Sequence, residues 1–237
     1  MSLTACEKEI FNRILKEELV PATGCTEPVA IAYAAAAAKK ALGCEPEVCE
    51  AELSGNIIKN ARCVAVPNTG GLKGIEAAVA AGVVAGRAEL ALDVLSAATG
   101  REEEIRDFLE KRGVSVRPAD NDLTFFIRVT VGAGSSRAKA VIEGFHTNLV
   151  LIEKDGIELF RSGAKSNPCC VADRSMLTVE KIVEFADVAD LAEIREILER
   201  QIAFNSAISE EGLKGDWGAN VGKVILKTFG DSPESRL

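Results

Sequence analysis

Leu123–Phe160 reads LTFFIRVTVGAGSSRAKAVIEGFHTNLVLIEKDGIELF, and its rhythm decides the fold class. Leu123–Val131, Lys139–Glu143, Asn148–Glu153 and Ile157–Phe160 are short runs rich in β-branched and aromatic residues, separated by polar turns. Asp155-Gly156 is a short-hairpin signal. Gly132–Arg137 follows a strand, but it lacks a third glycine and leads into another strand. It therefore reads as a hairpin turn and not as a dinucleotide site. These features predict an antiparallel sheet covered on one face by helices.

Outward from this stretch the texture is helical. Ile10, Phe11, Ile14, Leu15 and Leu19 recur at helical spacing over Cys6–Leu19, and Pro21 ends that helix. A second helix is predicted over Thr26–Leu42, with Thr26 as N-cap and Pro28 in the first turn. Val48–Leu53 and Ala61–Val66 read as strands, and Ile75–Ala85, Leu90–Ala98 and Glu102–Arg112 as helices. Beyond the sheet, helices are predicted over Val179–Ala186, Leu191–Glu210 and Trp217–Thr228. The expected class is α+β. A helix-rich catalytic region (1–86 with 165–237) should carry an inserted α/β sandwich with an antiparallel sheet (87–164). Asp231–Leu237 has the signature of a helix start with no helix after it, so the helical region is expected to be incomplete at its C-terminus.

The 237 residues carry a formal net charge of −8, which repels phosphate backbones and argues against nucleic acid as a partner. No apolar run reaches membrane-spanning length, and the N-terminus lacks a basic segment followed by an apolar one. Seven cysteines, odd in number and without a CxxC pair, suit a reducing cytoplasm better than a disulfide framework. A single histidine, His146, excludes a multi-histidine metal site and a serine-hydrolase triad.

Three stretches carry possible chemistry. In Pro21–Pro28, Cys25 lies just before a helix N-terminus, where free N–H groups and the helix dipole favour a thiolate. That sulfur is a nucleophile, a metal ligand or a buried turn cysteine. Ser54–Asn60 (SGNIIKN) is either a polar turn or a grip for an amino acid through Ser54, Asn56 and Asn60, with Lys59 as a base if burial lowers its pKa. Thr69-Gly70-Gly71, followed by Lys73, is either a packing turn or a seat for a small carboxylate; P-loop spacing is missing.

Taken in order, GCTEP (24–28), SGNIIKN (54–60) and VPNTGGLKG (66–74) resemble the L-cysteine desulfidase family, a relative of the α-chain domain of iron–sulfur L-serine dehydratases. His146-Thr147-Asn148, Asn205 with Glu211-Gly212-Leu213, and Gly218–Lys223 agree as well. The resemblance spans nearly the whole chain. It implies a lyase that eliminates the β-substituent of L-cysteine, giving sulfide, ammonia and pyruvate; the alternatives are L-serine dehydration and a non-catalytic amino-acid sensor of the same fold. It also implies a [4Fe–4S] cluster held by three cysteines, with the open iron as Lewis acid. Cys25 carries over as one ligand. None of Cys6, Cys44, Cys49, Cys63, Cys169 and Cys170 sits in a matching context, so two ligands are expected outside this chain. The base is unidentified, with Lys59 and Lys73 as candidates. Oligomerisation is expected because alanine- and glycine-rich helices suit tight interfaces.

Overall fold

The computed structural model describes residues 3–21, 24–162 and 172–233. The chain divides into two compact units, Met1–Val20 with Cys169–Leu237, and Pro21–Pro168. The predicted boundary at 86/87 is therefore displaced. The helices that precede it pack on the sheet that follows it, which places 21–86 in the sheet unit.

In Pro21–Pro168 the elements run α2 (Thr26–Leu42), β1 (Val48–Leu53), α3 (Gly55–Ala61), α4 (Gly74–Ala85), a 3-10 segment (Ala88–Asp93), α5 (Glu102–Arg112), β2 (Ser115–Pro118), β3 (Phe126–Ala133), β4 (Ser136–Glu143), β5 (Leu149–Lys154) and β6 (Ile157–Arg161). The sheet order is β2-β1-β3-β4-β5-β6. It is antiparallel throughout except for the parallel pair of β1 and β2. Strand alternation sorts the faces. Ala51, Leu53, Ile127, Val129, Val131, Ala138, Ala140 and Ile142 are buried inward. On the outer face Glu52 is paired with Arg117 at 2.7 Å and with Arg128, and Lys139 is paired with Glu153 at 2.9 Å.

Helix α2 lies across β3, β4 and β5, α4 lies against α2, and α5 lies against α4. Both α2 and α4 are buried on nearly every side, which only small side chains permit at this density. The contact is close enough to exclude a β-carbon. One added at Gly82 would stand 2.2 Å from the Ala32 carbonyl oxygen, and one at Gly86 would stand 2.7 Å from the Ala36 Cβ. Positions four apart share a helix face, so Ala32 and Ala36 form one side of a backbone-to-backbone seam and Gly82 and Gly86 the other. The small-residue helices that suggested oligomerisation thus spend their small faces inside the unit.

Three local expectations are corrected. Ser54–Asn60 is not a turn between strands but the start of α3, with Ser54 at its N-cap. Ala61–Val66 is no strand: Ala61 ends α3, and only Ala65 bridges to Lys73. The helix expected over Leu90–Ala98 is a 3-10 segment followed by turns, broken at Ala91 with φ +47°. Strand β2 went unread because it is four residues long and ends in Pro118, which an edge strand tolerates.

The other unit holds α1 (Ala5–Glu18), α6 (Val179–Val188), α7 (Leu191–Lys214) and α8 (Val221–Phe229). A capping box between Thr4 and Glu7 starts α1. Hydrogen bonds from Lys181, and then from Thr4, push the Glu7 carboxyl down to about 2. Phe11 stacks on Phe185 at 4.8 Å and shares a small core with Leu3. Among the described residues, no helix is long and apolar enough to cross a membrane.

The seam makes a testable contrast. Alanine is the better helix former, yet Gly82→Ala should lower the stability of the sheet unit by about 1–3 kcal/mol through overpacking. Gly212→Ala, on an exposed stretch of α7 with open space around it, should add about 0.5–1 kcal/mol. Urea unfolding of both variants checks the opposite signs.

Candidate functional site

The N-terminus of α2 gathers the residues that the sequence scattered. Gly24 takes φ +88°, a left-handed conformation that turns the chain into the helix. A β-carbon there would stand 3.3 Å from Pro67 Cγ, so the loop that opens with Val66-Pro67 lies directly against it. The N-cap is Cys25, one residue before the predicted Thr26, and its side chain makes no capping bond to the helix backbone.

Glu27 is the hub. The Cys25 thiol donates to its Oε2 at 3.0 Å, and Asn60 Nδ2, from α3, donates to its Oε1 at 3.1 Å. One residue before it, Thr26 Oγ1 lies 2.9 Å from Nε2 of His146 in the β4–β5 turn. The imidazole packs edge-on to Phe125 with ring centroids 4.7 Å apart. Cys25, Thr26, Glu27 and His146 are all partly buried, and Asn60 is exposed.

Electrostatics assigns each group a protonation state. The hydrogen bond from Cys25 lowers the Glu27 pKa, with the bond from Asn60 acting in the same direction, so Glu27 is an anion at neutral pH. Burial lowers the His146 pKa against the opposing pull of Glu27, which keeps the imidazole neutral at pH 7. For Cys25, burial and then the Glu27 hydrogen bond raise the pKa, and the amides of Glu27 and Thr26 offset this only in part. The expected helix-primed thiolate is therefore corrected: the helix terminus contributes in the predicted direction, but burial and an adjacent carboxylate outweigh it.

The other predicted residues divide. Ser54 is buried; its hydroxyl donates to the Thr124 carbonyl and accepts from the Phe126 amide, tying the end of β1 to the start of β3. Thr69 is fully buried and donates to the Val66 carbonyl at 2.8 Å, closing its own turn. Both hydroxyls serve the scaffold and are not presented to a ligand. Gly70 and Gly71 are exposed with φ +64° and +86°, and Arg106 reaches the Gly70 carbonyl at 3.5 Å. Asn56, Lys59 and Lys73 are exposed, so neither lysine has the burial that a lysine base requires. In the sequence Glu27 stands out only as part of GCTEP, and His146 only as the single histidine and as part of His146-Thr147-Asn148. An acid two residues after a cysteine at a helix start was the available signal for Glu27.

For a metal centre the described residues offer little beyond one thiol. No three of their His, Cys, Asp or Glu side chains gather around a common point. Cys6, Cys44 and Cys63 are exposed, and Cys49 is buried in β1 with its thiol pushed up to about 12 by burial. Cys169 and Cys170 lie outside the described residues. An iron–sulfur cluster needs about three or four ligands.

The Cys25–Glu27 pair is open to a direct check. Glu27→Gln removes the negative charge that favours the protonated thiol, so iodoacetamide should alkylate Cys25 several-fold faster at pH 8, read by peptide mass spectrometry. An unchanged or slower rate would show that Glu27 does not hold the proton on the sulfur.

Similarity to other proteins covers nearly all of this chain. It is 45% identical over 230 residues to a UPF0597 protein of Desulfitobacterium hafniense, covering 96% of this chain and 54% of that one. A UPF0597 protein of Treponema denticola is 40% identical over 232 residues (96% and 53%), and one of Fusobacterium nucleatum 40% over 217 residues (90% and 51%). No family model and no solved structure matches the chain. It spans about half the length of the curated relatives it matches, and across that half it is similar to the UPF0597 proteins.

Proposed function

We propose that this chain supplies the substrate-facing part of an iron–sulfur-dependent lyase acting on a small amino acid, eliminating sulfide from L-cysteine to leave aminoacrylate, which water then hydrolyses to pyruvate and ammonia. The supporting observation is convergence. Segments far apart in sequence, GCTEP, SGNIIKN, the start of VPNTGGLKG and His146-Thr147-Asn148, meet at one helix terminus, and Glu27 bonds Cys25 and Asn60 together there.

The described residues do not by themselves fit a [4Fe–4S] cluster, since of their five thiols only Cys25 stands at this site and no three possible ligands gather among them. What the chain's own residues can do is bind and move protons. Glu27, held as an anion, attracts a substrate ammonium. Asn60 fixes the orientation of that carboxylate and remains reachable from solvent. His146, neutral and partly buried beside Thr26, replaces Lys59 and Lys73 as the candidate to accept the α-proton. L-serine is the alternative substrate, since the chemistry differs only in the departing atom. Free thiols and an oxygen-sensitive cofactor suit a reducing cytoplasm.

Iron analysis after anaerobic reconstitution of the 237-residue chain should find well under one cluster per chain; full occupancy would overturn this account of the ligands. Joined to the part of the relatives' length that it does not span, and reconstituted, the protein should release sulfide and pyruvate from L-cysteine and lose this on Cys25→Ala. Pyruvate from L-serine alone would select the dehydratase, and binding without turnover the sensor.

A further inference from the structure

The end of α7 and all of α8 leave apolar side chains in water. Every residue from Gln201 to Gly212 is exposed, and α8 buries none of its residues. Gln201–Ser209 (QIAFNSAIS) carries no charge. Within it Ile202, Phe204 and Ile208 are 64%, 53% and 72% exposed. Val221, Val224 and Ile225 repeat at helical spacing along α8, and all three are exposed, as is Phe229 at 74%. A nine-residue helix that buries nothing is marginal in water, and exposed apolar surface such as Phe204 with Ile208, four apart on one face of α7, and Val221, Val224 and Ile225 on α8 marks an interaction site. Among the described residues, the unit that bears them buries six apolar side chains, Leu3, Phe11, Ile14, Ala172, Phe185 and Ile194, of which Leu3, Phe11 and Phe185 form its hydrophobic cluster. So small a core calls for a permanent cover, not a transient visitor.

The relatives indicate what the cover is. This chain accounts for 54%, 53% and 51% of three of them, so each carries further polypeptide of about equal length. We propose that the face formed by Gln201–Gly212 and α8 is the docking surface for that companion polypeptide, bound through its own apolar surface. The proposal rests on exposure and length alone and stands apart from the lyase reading; absence of sulfide release would leave it untouched.

Hydrogen exchange read by mass spectrometry tests it. In the 237-residue chain, amides of Gln201–Gly212 and α8 should exchange rapidly and the chain should bind a hydrophobic dye. Phe204→Asp with Ile208→Asp should weaken dye binding and leave the melting temperature unchanged. In the full-length Desulfitobacterium hafniense relative, the aligned helices should exchange roughly 100-fold more slowly, as a buried element does. Equal exchange in the two proteins would overturn the proposal. So would protection already present in a monomeric 237-residue chain, which would assign the cover to its own other unit. A dimer by light scattering that the double substitution dissociates would assign the face to a second copy and overturn it equally.

Discussion

The sheet unit depends on two helix backbones coming closer than side chains ordinarily allow. At Gly82 the approach of α4 to Ala32 leaves no room for a methyl group. Alanine on α2 and glycine on α4 convert what would be a side-chain interface into direct van der Waals contact along the backbone. Because α2 is gripped there on one side and by β3, β4 and β5 on another, its N-terminus has a fixed place. The candidate site is built on that fixed end.

From that anchor the site follows by short steps. Gly24 turns the chain against Pro67, Cys25 begins the helix, and Glu27 reaches both Cys25 and Asn60. Ser54 and Thr69 spend their hydroxyls on backbone carbonyls and an amide, holding α3 and the glycine turn in position. A carboxylate, a neutral imidazole and a protonated thiol then stand together in a partly dry setting. That combination can bind an ammonium group and move protons. It also sets a condition on any metal at Cys25: a cation must displace the thiol proton that Glu27 now favours.

The two units differ in how fully they satisfy themselves. In Pro21–Pro168 one contiguous core joins sheet and helices. In the other unit, electrostatic ties such as Lys181 with Glu7 at 2.7 Å and Arg174 with Glu17 at 3.1 Å supplement a small apolar cluster. Exposed ion pairs contribute little each, and α8 buries none of its residues. The apolar residues the unit leaves exposed are of the kind an interface uses.

The elements governed by local pattern could be read from the amino acids alone. Val48–Leu53 and Glu102–Arg112 were legible to the residue, the start of α2 to within one, and four sheet strands to within a few, because periodicity, proline and glycine act within a few residues of one another. Cys25 and Asn60 stood out in the sequence from their polar, glycine-containing settings, and the structure places both against Glu27. Tertiary structure decided the rest. Seven residues of SGNIIKN are too few to display a helical period, and α3 forms because the end of β1 and the loop after it hold it. The placement of His146 beside Thr26 depends on a contact across 120 positions. The protonation of Cys25 turns on how deeply the helix terminus is buried and on which carboxylate faces it, and solvent exclusion is a property of the packed unit that no short stretch of chain encodes.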